Sequence, residues 1–202
     1  MTIKSAILID GGFLRVAARK ANKRCDPDFI EKFAHACKSI DEQISRILYY
    51  DCAPFSGTLT LPVSGTLSKS SCKRTWLHEL SYKDLFAVRR GQLKFRGYVR
   101  KKTPRHTPGT ATTTTMPLTD DDFKPEFEQK GVDMRIGLDV AAYSANRAVD
   151  RIILISADTD CIPALKYGRK AGLQTVLIEP FGNKLTNELL AHADFKRMVA
   201  LP

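Results

Sequence analysis

Aspartates at the ends of apolar runs carry the chemistry suggested by this chain. LISADTDC puts Asp158 and Asp160 one residue apart, between an apolar run and a helical pattern. ILIDGG ends an earlier run in Asp10, and KGVDMR opens another helical stretch with Asp133. Open parallel sheets hold their reactive groups beyond the carboxyl ends of the strands, and all four acids fall where such an edge is expected. Four carboxylates converging on one spot repel unless cations neutralise them. Hard oxygen donors select Mg²⁺ or Mn²⁺ rather than zinc. Each acid also has a plainer use: Asp10 before Gly11-Gly12 makes a turn, and Asp133 and Asp160 suit helix N-caps. Taken singly these roles stay open; their recurrence at predicted strand ends favours a metal site. Ser156 and Thr159 could donate to a phosphate, orient the acids, or serve only the local structure. Asp139 lies six residues after Asp133, about 600° around a helix, so it leaves Asp133's face and suits a supporting or structural role.

The elements that must position these acids alternate. Residues 3–9 read as a buried strand and 13–21 as a short helix; Asp26 and Pro27 then cap a second helix carrying Phe29, Ile30, Phe33, Ala34 and Cys37. Strands follow at 45–52, 151–156 and 174–180, the later two apolar enough to be buried on both faces. Helices are expected around Trp76, Leu77 and Leu80, over 134–148 with Ile136, Val140 and Tyr143 inward beside Met134 and Leu138, over 161–171 ending at Gly172, and over 184–192. Residues 54–71 read as a long loop, 86–102 as strand, turn at Gly91 and strand, and 103–122 as a flexible loop or insertion. The sum is one α/β domain over residues 1–202, with a mainly parallel central sheet between two helical layers.

Charge narrows the partner. Thirty-two Lys and Arg against 22 Asp and Glu give a net charge of +10, which favours polyanions, nucleic acid before membrane. Residues 89–105 supply Arg89, Arg90, Lys94, Arg96, Arg100, Lys101, Lys102 and Arg105 with no acid among them. Phe95 and Tyr98 interleave as stacking platforms, or else pack inward from a solvated strand. Lys130 and Lys184 are weaker candidates for phosphate contacts. Asp120, Asp121 and Asp122 read as a solvated acidic run. The five cysteines form no CxxC pair, so neither a disulfide framework nor a zinc site is indicated, and a reducing cytoplasm fits. No run is long enough for a signal peptide or a membrane span. The four histidines (His35, His78, His106 and His192) form no motif.

In order, ILIDGGFL, YYDCAPF, RRGQLKFRG, KGVDMRIGLDVAAYSA, RIILISADTDCIPALKYGRKAGLQTVLIE and LTNELLAHADFKRMV resemble the NYN domain family of the PIN-like nuclease superfamily. The resemblance covers nearly the whole chain. It implies a PIN-like α/β/α fold and a divalent-metal-dependent ribonuclease, with Asp10, Asp133, Asp158 and Asp160 on the acidic site. Gly12 and Phe13 stand where the family often has Asn, and Ala157 where it usually has Gly. Metal-activated water would leave a 5′-phosphate and a 3′-hydroxyl on RNA, single-stranded or structured. A binding module that holds RNA or protein without cutting, and self-association into a homo-oligomer, stay open. An aspartyl phosphatase would want Asp-x-Asp on its first strand, and a Rossmann dinucleotide binder GxGxxG there; neither is present.

Overall fold

In the computed structural model, residues 2–71, 76–101 and 117–202 are described. The chain runs β1 (Ile3–Asp10), α1 (Gly11–Lys20), α2 (Pro27–Ala36), β2 (Glu42–Cys52), β3 (Ser56–Thr60), β4 (Leu67–Ser71), α3 (Trp76–Ser81), β5 (Phe86–Arg100), β6 (Phe123–Lys130), α4 (Val132–Asn146), β7 (Arg151–Ile155), α5 (Ile162–Lys170), β8 (Gln174–Pro180), α6 (Asn187–Leu190) and β9 (Phe195–Val199). Seven strands form one sheet in the order β6-β5-β2-β1-β7-β8-β9. Every pairing in it is parallel except β5 with β6.

Strand alternation splits the core into two layers. Ala6 and Leu8 of β1, with Leu48 and Tyr50 of β2, face Val132, Ile136 and Val140 of α4 and Leu165 of α5. Ile7, Ile9, Ile47 and Tyr49 face the opposite way, onto Leu14 and Ala18 of α1, Phe29, Ile30 and Phe33 of α2, and Leu77 and Leu80 of α3. The central strands are therefore apolar on both faces, which is why their runs are nearly continuous. Asp26 caps α2 by accepting from the Phe29 N–H, with Pro27 at the first helical position, and Gly172 follows α5 at φ +91°.

Several expectations are corrected. Residues 56–71 contain an antiparallel hairpin of β3 and β4 rather than a structureless loop. Its Ser, Thr and Gly residues carry no apolar period because both faces are largely exposed; of β3, only Leu59 is buried. No turn occurs at Gly91: β5 runs straight through it for fifteen residues. The glycine serves close packing, since a Cβ there would sit 2.8 Å from the Lys130 carbonyl oxygen and 2.9 Å from Cys52 Sγ. The irregularity in β5 comes later, between Phe95 and Gly97. β6 and β9 are strands that the sequence reading passed over, and the last helix is only Asn187–Leu190. On α4, Met134 and Leu138 point outward, 72% and 63% exposed; the buried phase is Val132, Ile136, Val140 and Ser144. Most of the expected 103–122 loop lies outside the described residues.

Beyond the pair Cys52–Gly91, β2 ends. Residues 92–100 of β5 pair with β6 alone, so the two strands leave the sheet at its carboxyl edge as an arm about 30 Å long at ~3.3 Å per residue. The β3–β4 hairpin is tied to this arm. Asp120 Oδ1 accepts from the Val63 and Ser64 N–H groups at 2.9 and 3.2 Å, and the Phe55 and Phe127 rings lie 5.0 Å apart. Asp122 accepts from the Thr119 N–H at 2.8 Å. Two of the three acids in the expected solvated run are thus structural.

Candidate metal centre

Asp10 ends β1 and caps α1. Its Oδ1 accepts from the Gly12 N–H at 2.8 Å and the Phe13 N–H at 3.2 Å; its Oδ2 accepts from Ser156 Oγ at 3.2 Å. Buried Ser156 in turn accepts from the Asp158 N–H at 3.1 Å. One hydroxyl thereby joins the ends of two adjacent strands, β1 and β7. Asp158 caps the turn Thr159–Cys161, its Oδ1 accepting from the Asp160 N–H at 2.9 Å. The helix cap expected of Asp160 is therefore not there; Cys161 holds the N-cap position of α5, and the Asp160 side chain is left exposed. Thr159 sits between the two acids, at the first position of that turn.

Asp133 reaches the same edge from α4. The N-cap is Gly131 rather than Asp133, in the left-handed region at φ +77°, where a side chain would be strained. That turn places Asp133 in the first helical turn, near the positive end of the helix dipole. One carboxylate oxygen from each of Asp133, Asp158 and Asp160 lies within 4.8 Å of the other two. Burial, then the charge of Asp158 and, more weakly, that of Asp160, push the Asp133 carboxyl above its ordinary range. Asp10 is outside this trio, its oxygens engaged as described. Its carboxyl is also raised, chiefly by burial; hydrogen bonds from Phe13, Ser156 and Gly12 oppose this, and the charge of Asp133 adds a little. Three carboxylates this close together are a hard oxygen donor set of the kind that holds a divalent cation. The neighbouring thiol is no nucleophile: burial pushes Cys161 up to about 12.

Asp139 lies elsewhere. It accepts from the Tyr50 hydroxyl at 2.8 Å and from Arg89 Nε at 3.1 Å, bracing α4 against β2 and β5. Arg89, expected to hold RNA, is thus committed to an ion pair. Arg96 and Lys130 both pair with Glu128; their hydrogen bonds, Lys130's foremost, hold that carboxyl at about 2. Arg90, Lys94, Arg100 and Lys101 are exposed, with no carboxylate partner among the described residues. Lys184 is exposed just past the carboxyl end of β8, and Lys102 lies outside the described residues. The Phe95 ring packs between those of Tyr98 and Phe127, with centroids 5.2 and 5.7 Å away, so these aromatics pack within the arm itself.

Beside Asp10 a cleft of about 640 Å³ opens between α1 and β6, lined by Gly12, Arg15, Val16, Arg19, Lys23 and Gln129 together with Cys25. The sequence reading passed over its cations. The signal was present: residues 11–25 hold five bases and no acid.

The model of the NYN domain family matches residues 4–199. A crystal structure of a protein of unknown function, VPA0982 from Vibrio parahaemolyticus RIMD 2210633, superposes with a TM-score of 0.56 at 17% identity, over 100% of this chain and 94% of that one. At that identity the likeness concerns the fold. No curated protein matches. Among the described residues no helix is long and apolar enough to cross a membrane.

Proposed function

Since the chain belongs to the NYN domain family, which is PIN-like and nuclease-like, we infer that it is a divalent-metal-dependent ribonuclease. The observation that carries this reading is the convergence of Asp133, Asp158 and Asp160 within 4.8 Å at the carboxyl edge. These three side chains would hold Mg²⁺ or Mn²⁺. Bound there, the ion supplies Lewis acidity toward the scissile phosphate and lowers the pKa of a water. The chain's own residues do the positioning. Asp158 orders the turn that presents Asp160. Ser156 holds the Asp158 backbone against Asp10. Asp10 adds negative charge beside Asp133 and fixes the start of α1. Arg90, Lys94, Arg100 and Lys101, which have no carboxylate partner among the described residues, and the exposed Lys184 offset the repulsion between an acidic centre and a polyanion.

The test is cleavage of single-stranded and structured RNA by wild type and Asp160→Asn, with Mn²⁺, Mg²⁺ or EDTA. Losing several kcal/mol of transition-state stabilisation amounts to about a hundredfold or more in rate. Metal-dependent cutting that falls by at least this factor in the variant, leaving 5′-phosphate and 3′-hydroxyl ends, is the expected result. Equal cutting by both proteins would trace the activity to a contaminant. Tight RNA binding with no cutting would make the domain a binding module.

A further inference from the structure

The cleft beside Asp10 has features of a track rather than a ligand pocket. Its floor is one face of α1, with Gly12, Arg15, Val16 and Arg19 at helical spacing, continued by Lys23 just past the helix end. Its far wall is Gln129, four residues before Asp133 in the chain. Its near end is Gly12, whose N–H is held by Asp10. The groove thus begins at the acidic edge and runs away from it along the helix. About 10 Å of axis separates Gly12 from Arg19, room for roughly two or three phosphates. The charge is one-signed along its length. α1 has no acid in its first turn and ends in Arg19 and Lys20.

The cations differ in how they are held. Arg15 is clamped by the buried Asp51, and Lys23 donates to the carbonyl oxygen of Leu201 at 3.1 Å. Arg19 is exposed and has no carboxylate partner among the described residues. Two anchored cations and one unpaired cation leave net positive charge facing an open groove. The groove reaches the acidic edge at Gly12, where a Cβ would sit 3.1 Å from Asp10 Oδ1 and 3.1 Å from Gln129 Oε1, and Asp10 in turn neighbours Asp133.

We propose that the α1–β6 cleft is the track for the RNA strand flanking the scissile bond, gripping its phosphates through Arg19, with the anchored Arg15 and Lys23 adding positive charge along the wall, while the Gln129 amide meets the nucleotide next to the centre. This rests on reading the acids as the cleavage centre and extends it to a substrate class: single strands long enough to reach beyond α1's first turn. Duplex ends without such a flank engage only the centre.

The experiment measures RNA binding by fluorescence anisotropy in an Asp160→Asn background with Mg²⁺, using labelled single strands of about twelve and about four nucleotides. Arg19→Glu is expected to weaken the longer strand by about tenfold and to flatten its salt dependence by ~0.7 in slope, while the shorter strand changes little. Arg19→Lys should bind nearly as the parent does. Lys170→Glu, in a separate cleft with Arg169 and Gln174 at the opposite edge, is the control for net charge and should leave binding unchanged. Unaltered binding by Arg19→Glu, an equal loss in Lys170→Glu, or no binding of the longer strand to the parent would each overturn the track. Cleavage by the wild-type chain is scored separately. Cutting without the Arg19 signature defeats the track alone, whereas the signature without cutting defeats the nuclease reading and leaves the track as a binding groove.

Discussion

The two edges of the central sheet treat charge in opposite ways. At the amino edge Glu42 is buried and accepts from Arg151 at 2.6 Å, from Arg197 at 2.7 and 2.8 Å, and from the Ser39 N–H at 2.7 Å. Arg151 turns its remaining nitrogens to Gln174 and lies 5.2 Å from the centre of the Phe195 ring. Burial alone would raise the Glu42 carboxyl, but hydrogen bonds from Arg197 and Arg151 hold it at about 2. At the carboxyl edge Asp133, Asp158 and Asp160 face one another, and Asp133 is raised by burial and by its neighbours' charge. One edge spends its charges on holding four strands together. The other keeps charges in conflict, a cost tolerated where a ligand relieves it.

Breaking the amino edge should have the largest effect. Glu42→Gln leaves two guanidinium groups around a neutral amide, one of them buried, and should cost roughly 3–5 kcal/mol, read as a drop of about 10 °C or more in Tm. The native pair is also pH-sensitive. Its contribution is complete above the ordinary glutamate range and is lost as pH falls towards about 2, so the gap between wild type and Glu42→Gln should close in acid. Next comes Ser156→Ala, which strips Asp10 of one donor and leaves the Asp158 N–H without its acceptor. It should cost about 1–2 kcal/mol and weaken Mg²⁺ or Mn²⁺ binding by about tenfold, measured by calorimetry. The smallest effect should have the opposite sign. Asp133 has a raised carboxyl, so metal-free wild type loses stability as pH rises from the ordinary aspartate range through the raised value. Asp133→Asn should therefore gain up to about 1 kcal/mol at neutral pH without metal, some 2–4 °C in Tm. It should gain nothing in acid and should lose the stabilisation that Mg²⁺ gives wild type. A metal-free Asp133→Asn less stable than wild type at neutral pH would erase the contrast between the edges.

Legibility followed burial. β1, β7 and β8 were readable because both faces are covered and their apolar runs are unbroken. β6, FKPEFEQK, and β9, FKRMV, were not, since they are the two outermost strands and carry no apolar period. Gly91 misled because glycine marks both turns and close approaches, and only the packed Lys130 carbonyl and Cys52 thiol tell them apart. The helical phase of α4 was blurred by Met134 and Leu138, apolar residues on the exposed face. The acids were legible by position, at the ends of readable strands. Their division of labour was not, because nothing in the residue order says that Asp10's oxygens are engaged by Gly12, Phe13 and Ser156. Nor could spacing show that Arg89 and Arg96 are paired to acids on other elements, Asp139 of α4 and Glu128 of β6.

The register of β6 acts as a ruler. Lys130 is paired opposite Gln92, and Gly131 alone separates it from the helix that carries Asp133. Adding or deleting one residue between Phe127 and Gly131 would shift the helix start by about 3.3 Å and swap the faces of Gln129 and Lys130. The trio would open and the cleft would lose its amide wall in the same event. The length of this short segment is therefore under tighter constraint than the identity of most residues in it.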